Sequence, residues 1–424
     1  MAFVLPRSLQ RCAAGQQVRT NSVAPRAHSL QHARKQVCIP AASSPAGPAA
    51  NGAQPSGRAA SVVPKAVAMK PEAGTLGKRD SKYEIFTLTT WLLREEQKGT
   101  VDGELATVIA SIALACKQIS SLVNRAGISN LTGLDGGENF SGEDQKKLDV
   151  ISNEVFCNCL RASGRTGVLA SEEEDMPIAV EESYSGNYIV CFDPLDGSSN
   201  IDAGISVGSI WGVYEPSEEC PIDAIDNPEK MMEQCVLNVC QPGKDLKCAG
   251  YCLYSSSTTI VLSIGHGVWG FTLDPAIGEF VLTHRDVKIP EKGKIYSFNE
   301  GNYNLWNDDL RAYMEHVKDP AAHDGKPYSA RYIGSLVGDF HRTLLYGGIY
   351  GYPGDKKNPN GKLRLLYECA PMSFLAEQAG GKGTTGVVRT LEIMPEKVHQ
   401  REPLFIGSKH EVELLEHFVA GKRM

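Results

Sequence analysis

The chain has 424 residues, of which 42% are hydrophobic and 22% charged, with 12 cysteines and a net charge of −7. This length exceeds one ordinary hydrophobic core and predicts at least two domains. The sequence lacks a run of about 18 consecutive apolar residues, and an acidic chain repels nucleic-acid phosphates, so we expect neither a membrane nor a nucleic acid as partner.

The first 71 residues differ sharply in charge from the rest. They contain no Asp or Glu and nine Lys or Arg residues among Ala, Ser, Pro and Gly, and the first acid is Glu72. Acid-free, Arg- and Ser-bearing N-termini without a compact apolar core are typical of organelle transit peptides, whereas the plainer interpretation is a disordered tail. We expect residues 1–71 to be a transit peptide without a packed fold.

Helical periodicity dominates the next part of the chain. Apolar residues at helical spacing predict helices over 87–98, 104–125 and 144–161. The segment 127–142 is rich in Gly and polar residues, so we expect a loop there.

Strand signals follow, and then a mixed region. Short apolar runs predict strands at 167–171, 188–192, 205–214 and 259–264. From residue 286, helices are predicted at 305–318 and 372–380, and strands at 345–352 and 403–406. The pattern predicts an α/β or α+β protein with at least two sheets, divided into domains 76–285 and 286–424.

Two of the predicted strands end in acidic residues. ASEEED (170–175) places Glu172 and Glu173 after one strand, and CFDPLDGSSNID (191–202) places Asp193 and Asp196 after another. Pro194 should stop the strand ladder. Four carboxylates at one point repel each other unless they hold a cation, and an all-oxygen ligand set favours Mg²⁺ or Mn²⁺.

The residues after Asp196 favour a phosphate as the second ligand. Gly197 permits a tight turn, and the amides around Ser198 and Ser199 would point outward as at an anion-binding turn. Metal carboxylates beside such a turn predict metal-dependent phosphate chemistry. The alternative is a solvated acidic loop, which accounts for the EEED run but not for two acids around Pro-Leu followed by Gly-Ser-Ser.

Cysteine usage is uneven. Six cysteines lie among apolar residues and should be inert core thiols: Cys116, Cys157, Cys191, Cys248, Cys252 and Cys369. Cys220, Cys235 and Cys240 instead fall in the acidic, Pro-interrupted stretch CPIDAIDNPEKMMEQCVLNVC, which predicts an exposed loop over about 215–243. Paired C-x-x-C motifs typical of zinc sites are missing from the sequence.

The motif DPLDGSSN (193–200) is similar to the signature of the lithium-sensitive, metal-dependent sugar and inositol phosphatases. Further stretches, KKLDVISNE (146–154), LDPAIGEF (273–280), KIYSFNEG (294–301), ARYIGSLVGDFHRTLLYGGIYGYP (330–353) and NGKLRLLYECAPM (360–372), make residues 80–424 resemble the fructose-1,6-bisphosphatase family. The resemblance implies a layered α-β-α-β-α sugar-phosphatase fold with two mixed sheets, and a homotetramer. It also implies Mg²⁺-dependent hydrolysis of the 1-phosphate of fructose 1,6-bisphosphate.

The resemblance assigns roles to matching positions. Two or three divalent ions, Mg²⁺ or alternatively Mn²⁺, would be bound by Glu172, Glu173, Asp193, the Leu195 carbonyl, Asp196 and Glu368. Asp149 and Glu173 would polarise the attacking water. Asp196, Gly197, Ser198, Ser199 and Arg364 would surround the 1-phosphate, while Asn299, Tyr303, Tyr332, Tyr352 and Lys362 hold the 6-phosphate together with Arg331 of a neighbouring subunit.

Regulation is also implied by comparison within the family. AMP-inhibited members carry a Thr and two cations where this chain has Ala106, Asn187 and Glu215, so we expect AMP inhibition to be weak or absent. The inserted segment with Cys220, Cys235 and Cys240 resembles the chloroplast form, which thioredoxin reduces in the stroma, where the enzyme serves the Calvin cycle and starch synthesis. The disulfide would pair Cys220 with Cys235, with Cys240 as a substitute.

Two other functions stay open at this point. A sedoheptulose-1,7-bisphosphatase would need the same metals and a similar phosphate clamp. A non-catalytic sugar-phosphate-binding protein would need the clamp but not the carboxylates.

Overall fold

The structure is a computed structural model that describes residues 85–138, 144–180, 188–216 and 228–422. The transit-like segment 1–71 and Cys220 lie outside these residues. The described helices are α1 (Leu88–Lys98), α2 (Gly103–Val123), α3 (Lys147–Ser163), α4 (Pro228–Val239), α5 (Asp308–Lys318), α6 (Leu336–Tyr346), α7 (Ala370–Gln378) and α8 (Lys409–Val419).

The strands lie between these helices in three groups. The first group is β1 (Leu134–Glu138), β2 (Asp144–Lys146), β3 (Thr166–Ser171), β4 (Ile178–Ala179), β5 (Tyr188–Asp196) and β6 (Val207–Tyr214). The second is β7 (Cys248–Tyr254), β8 (Thr258–Ser263), β9 (Trp269–Asp274) and β10 (Glu279–His284). The third is β11 (Ile295–Ser297), β12 (Ser329–Ala330), β13 (Ile349–Tyr352), β14 (Lys382–Thr384) and β15 (Leu404–Gly407).

Capping residues set where the first two helices begin and where α1 ends. The Thr87 hydroxyl accepts from the Thr90 amide, and Gly99 ends α1 in the left-handed conformation that glycine adopts without strain. Asp102 begins α2 by accepting from the Leu105 amide at 2.7 Å. Both helices confirm the helical periodicity of their segments.

By length and composition α2 could cross a bilayer, since its apolar window has a mean hydropathy of 1.6. The sequence predicted no membrane-spanning segment because such a segment needs about 18 consecutive apolar residues, and polar residues interrupt the apolar sequence of α2. Several of its apolar side chains, among them Val108, Ile112 and Ile119, are fully buried in the hydrophobic core. A core helix of this kind passes the same compositional test.

Two mixed sheets form the framework, as the family resemblance implies. The larger has eight strands in the order β10-β9-β8-β7-β6-β5-β3-β4, in which only the β3–β5 pair is parallel. The smaller has five strands in the order β12-β11-β13-β15-β14. In it, β11 is parallel to both β12 and β13, and β15 is antiparallel to both β13 and β14.

The helices separate and cover the sheets in layers. Helices α1, α2 and α3 pack on one face of the large sheet, whereas α4, α6 and α7 pack on the other. Helices α6 and α7 also contact the small sheet. The outer face of the small sheet is covered by α8, and α5 packs against α8. The order of layers is therefore α-β-α-β-α, and the mixed α/β fold is confirmed.

Three local expectations were wrong. Residues 134–138, expected to be loop, form an antiparallel ribbon with β2, so α3 begins at Lys147 rather than at 144. The strand predicted from 345 begins only at Ile349, because the preceding residues complete the last turn of α6. Pro194 does not end its strand, since β5 continues to Asp196.

The cysteine segment is only partly a loop. Residues 228–239 form α4 against β3, β4 and β5, which corrects the expectation of an exposed loop over the whole of 215–243. The acidic and Pro residues misled the sequence argument, because Pro228 occupies the first helical position, which tolerates proline. Cys235 and Cys240 are buried, with 1% and 7% exposure. The six predicted core thiols are buried as expected.

Candidate active site

Parallel pairing of β3 and β5 brings their acidic ends together. Ser171 pairs with Phe192, and the Glu172 amide donates to the Phe192 carbonyl at 3.2 Å. Since parallel strands run in the same direction, residues that follow each strand emerge at one sheet edge. Glu172 and Glu173 therefore lie beside Asp193, as the sequence predicts.

A bulge in β5 orients the two aspartates. The ladder with β6 pairs Asp193 with Ile210 and Asp196 with Gly208, so β5 carries one extra residue between them. The Asp193 carboxylate accepts from the Leu195 amide at 2.9 Å within the bulge. Pro194, which cannot donate to the ladder, sits at this irregularity instead of at a strand end.

Glu368 approaches the aspartates from a different part of the chain. It lies in a π-helical turn over Leu365–Cys369 that leads into α7, and its carboxylate accepts from the Arg364 amide at 2.6 Å. Such turns often occur at functional sites. Carboxylate oxygens of Asp193, Asp196 and Glu368 lie within 4.8 Å of one another, and all three residues are buried.

Arg364 provides a positive charge beside these acids. Its guanidinium lies 2.7 Å from the Glu172 carboxylate and 3.9 Å from that of Glu368, and its side chain is only 7% exposed. One guanidinium cannot balance the three buried carboxylates of Asp193, Asp196 and Glu368 together with that of partly buried Glu172. The residual negative charge fits a site for divalent cations with oxygen ligands.

The electrostatics of the cluster reflect this excess of negative charge. Burial, and then the charge of Glu172, raises the pKa of Asp193 well above its usual range. Burial raises the pKa of Asp196 to about 6. The pKa of Glu368 is also raised by burial, with Arg364 opposing the shift. Carboxyls that resist ionisation when no ion is present would lose their protons to solvent when a cation binds, because the cation stabilises the carboxylate form.

Asp149 and Glu173 form a second acidic pair at the edge of the cluster. Asp149 lies in the first turn of α3, where its carboxylate accepts from the Lys146 amide at 2.7 Å, and burial raises its pKa to about 7. Burial likewise raises the pKa of Glu173 to about 7, opposed by a hydrogen bond from Gln145 at 2.6 Å. Two carboxyls with pKa values near neutrality suit proton transfer at physiological pH.

The start of α6 supports Asp196, a contact that sequence reasoning missed. The Val337 amide donates to the Asp196 carboxylate at 3.1 Å, and the Ser335 hydroxyl lies 3.3 Å from the same oxygen. Ser335 also caps the helix through the Gly338 amide. Ser335 can be recognised in the sequence as a residue type that caps helices. Its contact with Asp196, 139 residues away along the chain, cannot be recognised there.

A cavity of about 430 Å³ opens over these groups. Its acidic wall contains every predicted metal residue and Asp149, with Gly197, Ser198, Ser199 and Arg364 beside them. Tyr332, Tyr352 and Lys362 line it as well. Lys146 and Tyr350 also line the cavity and were not predicted to do so, although Lys146 opens the KKLD motif, one of the stretches that resemble the family.

Three predicted substrate residues do not line this cavity. Asn299 is exposed and caps the turn Glu300–Leu305 through the Gly301 amide. The Tyr303 hydroxyl donates to Glu315 at 2.9 Å. Arg331 is exposed, as a residue that reaches a neighbouring subunit would be, and its guanidinium donates to the Ala330 carbonyl.

Comparison with known proteins places the whole described fold in one family. Residues 86–285 match the model of the fructose-1-6-bisphosphatase N-terminal domain, and residues 289–420 match that of the C-terminal domain. The chain is 67% identical over 350 residues to "Fructose-1,6-bisphosphatase, chloroplastic" of Oryza sativa subsp. indica, covering 82% of this chain and 86% of the relative. It is 65% identical over 352 residues to "Fructose-1,6-bisphosphatase 1, chloroplastic" of Arabidopsis thaliana, covering 82% and 84%.

A solved structure agrees with these relatives. The holo form of Leishmania major fructose-1,6-bisphosphatase superposes with a TM-score of 0.74 at 45% identity, covering 80% of this chain and 99% of that one. The likeness therefore extends through both sheets.

Proposed function

The chain belongs to the fructose-1,6-bisphosphatase family, and from that premise we propose that it hydrolyses the 1-phosphate of fructose 1,6-bisphosphate to give fructose 6-phosphate and phosphate. It is a phosphoric monoester hydrolase. The observation that carries the proposal is that buried carboxylates, an arginine, lysines and tyrosines line one and the same cavity.

Two or three Mg²⁺ ions per subunit, with Mn²⁺ able to replace them, would occupy the acidic wall. Their ligands are the carboxylates of Glu172, Glu173, Asp193, Asp196 and Glu368 and the carbonyl oxygen of Leu195. The support is the all-oxygen donor set and its raised pKa values. When bound, the ions offset the negative charges of the phosphate and of the carboxylates.

Asp149 and Glu173 act on the attacking water. With pKa values near 7, each exists as carboxylate in an appreciable fraction at neutral pH and can accept the proton that the water loses. The water oxygen bonds to phosphorus as the bond from phosphorus to the sugar oxygen breaks. Both residues line the cavity, so no further relay is needed.

The two phosphates bind to different residues. Asp196, Gly197, Ser198, Ser199 and Arg364 surround the 1-phosphate, where the first amides of the turn Ser198–Ala203 lack intrahelical acceptors and the arginine supplies charge-assisted hydrogen bonds. Asn299, Tyr303, Tyr332, Tyr352 and Lys362 of one subunit hold the 6-phosphate, and Arg331 reaches it from a neighbouring subunit of a homotetramer. This division presents only the 1-phosphate to the activated water.

The two regions of the chain divide these tasks. Residues 76–285 carry regulation, with the redox segment at 215–243, and all of the proposed metal ligands except Glu368, whereas residues 286–424 contribute Glu368 and most of the sugar-phosphate contacts.

Thioredoxin activates the enzyme by reducing a disulfide between Cys220 and Cys235, with Cys240 as the substitute partner. Support comes from the packing of α4, which carries Cys235, against β3 and β5, the strands that lead to the acidic cluster. A strained helix on one face of these strands would displace the carboxylates at their ends. Closing a loop of about 15 residues is worth about 3 kcal/mol in chain entropy.

The relatives named chloroplastic support a location in the plastid, and we propose the stroma, where the Calvin cycle and starch synthesis consume fructose 6-phosphate. Phosphate release from purified fructose 1,6-bisphosphate and sedoheptulose 1,7-bisphosphate, with Mg²⁺ and reduced thioredoxin, tests the assignment. Faster turnover of the seven-carbon sugar would favour that activity instead, and no turnover of either would indicate a non-catalytic binding protein. A Cys220→Ser variant should be active without reductant.

A further inference from the structure

Ser209 lies in the large sheet directly opposite the bulge of β5. The strand pairs on either side are Asp193 with Ile210 and Asp196 with Gly208, so Ser209 faces the interval occupied by Pro194 and Leu195. Its side chain is fully buried. A buried hydroxyl in a strand interior needs hydrogen-bond partners.

The partners of Ser209 define the direction of a hydrogen-bond chain. Its hydroxyl donates to the Pro194 carbonyl at 2.7 Å, and its oxygen lies 2.8 Å from the Tyr254 hydroxyl. A carbonyl can only accept, so the one proton of Ser209 is committed to Pro194. The Tyr254 hydroxyl must therefore donate to Ser209.

Tyr254 is held in this donor role by its surroundings. It ends β7 with 4% exposure, beside the thiols of Cys116 and Cys252. Burial, and then those thiols, raises the pKa of Tyr254 well above its usual range. The hydroxyl therefore keeps its proton and can donate it to Ser209, which completes the chain from Tyr254 through Ser209 to Pro194.

The bulge decides whether the two aspartates can share a cation. In a regular strand, residues three apart point to opposite faces. The extra residue in β5 brings Asp196 onto the side of Asp193, where their carboxylate oxygens meet Glu368 within 4.8 Å. Pro194 has no N–H with which to pair, so its carbonyl is what ties the bulge to β6.

We propose that Ser209, supported by Tyr254, is a positioning residue that fixes the β5 bulge and thereby sets the divalent-cation affinity of the Asp193–Asp196–Glu368 cluster. The inference rests on the proposed function, because it assumes that this cluster binds the catalytic ions. Neither residue lines the cavity. Both act through the backbone between the ligands.

Ser209→Ala, Tyr254→Phe and the double variant test the chain. We expect Mn²⁺ affinity of the metal-stripped full chain, measured from the free-ion paramagnetic resonance signal, to fall about tenfold in Ser209→Ala and about threefold in Tyr254→Phe. The double variant should bind no more weakly than Ser209→Ala, since Tyr254 acts through Ser209. The Mg²⁺ concentration for half-maximal hydrolysis should rise in parallel, with the KM for fructose 1,6-bisphosphate at saturating Mg²⁺ unchanged.

Ser373→Ala is the matched control, because Ser373 is also fully buried and its hydroxyl has no hydrogen-bond partner among the described residues. It should leave metal affinity unchanged. Ser209→Ala with wild-type Mn²⁺ affinity, or an additive loss in the double variant, would overturn the inference, and Tyr254→Phe decides the matter if Ser209→Ala does not fold. If the Ser209 proposal fails but the wild type binds metal and hydrolyses substrate, the proposed function still stands. A wild type that binds no metal refutes both the Ser209 proposal and the proposed function.

Discussion

Replacing Asp149 by asparagine should stabilise the metal-free protein, and the gain should grow with pH. Burial raises the pKa of Asp149 from 3.8 to about 7. A carboxyl whose pKa is higher in the folded state contributes its full stability below the unfolded-state pKa and loses it as pH rises through the folded-state value. Asparagine cannot ionise, and its amide oxygen can still accept from the Lys146 amide.

The size of this gain follows from the pKa values. One pKa unit corresponds to about 1.4 kcal/mol, so the wild type should lose about 2 to 3 kcal/mol relative to Asp149→Asn between pH 5 and pH 8. Buried histidines such as His341, whose pKa is lowered to about 4 by burial, make the free energy of unfolding rise with pH. This contribution cancels when the free energies of the two proteins are subtracted. Those residues titrate equally in both proteins.

Urea unfolding of metal-stripped protein at pH 5, 6.5 and 8 measures the difference in free energy of unfolding. Asp135→Asn, at an exposed position on β1, controls for the loss of one negative charge. A difference that is flat or falls with pH would refute the reasoning, because it would mean that Asp149 ionises freely in the folded protein. Added Mg²⁺ should stabilise the wild type more at pH 8 than at pH 5, since the ion binds the ionised carboxyls.

Three further predictions concern binding and regulation. Arg364→Ala removes the guanidinium beside Glu172, so the kcat/KM for fructose 1,6-bisphosphate should fall by about 10- to 100-fold, whereas alanine at exposed Arg125 should leave steady-state kinetics unchanged. Tyr332→Phe should raise KM about tenfold with little change in kcat, and an effect confined to kcat would exclude a binding role; Tyr346→Phe at an exposed site is its control. Millimolar AMP should leave the rate of hydrolysis unchanged, because Ala106 lacks a hydroxyl and Glu215 brings a carboxylate, 2.8 Å from Lys247, where AMP-inhibited relatives carry a cation. Strong inhibition at micromolar AMP would contradict this interpretation of the AMP-binding positions.

Sequence reasoning located the acidic wall because its signals are local. Acids directly after two apolar runs, and a Gly-Ser-Ser turn after Asp196, are all visible between residues 170 and 202 of the sequence. Their convergence depends only on β3 and β5 being parallel neighbours. The other two predicted metal ligands, the Leu195 carbonyl and Glu368, came from the family resemblance alone, and the π-helical turn that carries Glu368 leaves no periodic signal in the sequence.

The contacts that sequence reasoning missed are those between distant segments. Support of Asp196 by Ser335 and Val337, and of Pro194 by Ser209, depends on how α6 and β6 are placed in the fold. Helix α4 was missed for a different reason, because its acidic residues and Pro228 are typical of loops. Burial of one face against β3 and β5 overrides that local preference.

Position-specific phosphate release tests the central claim most directly. Phosphorus NMR of fructose 1,6-bisphosphate incubated with reduced protein and Mg²⁺ should show loss of the 1-phosphate resonance, growth of inorganic phosphate and a persistent 6-phosphate. The reaction should stop with chelator and fall at least about 100-fold in Asp149→Asn. Loss of the 6-phosphate, or equal rates for Asp149→Asn and wild type, would contradict the account.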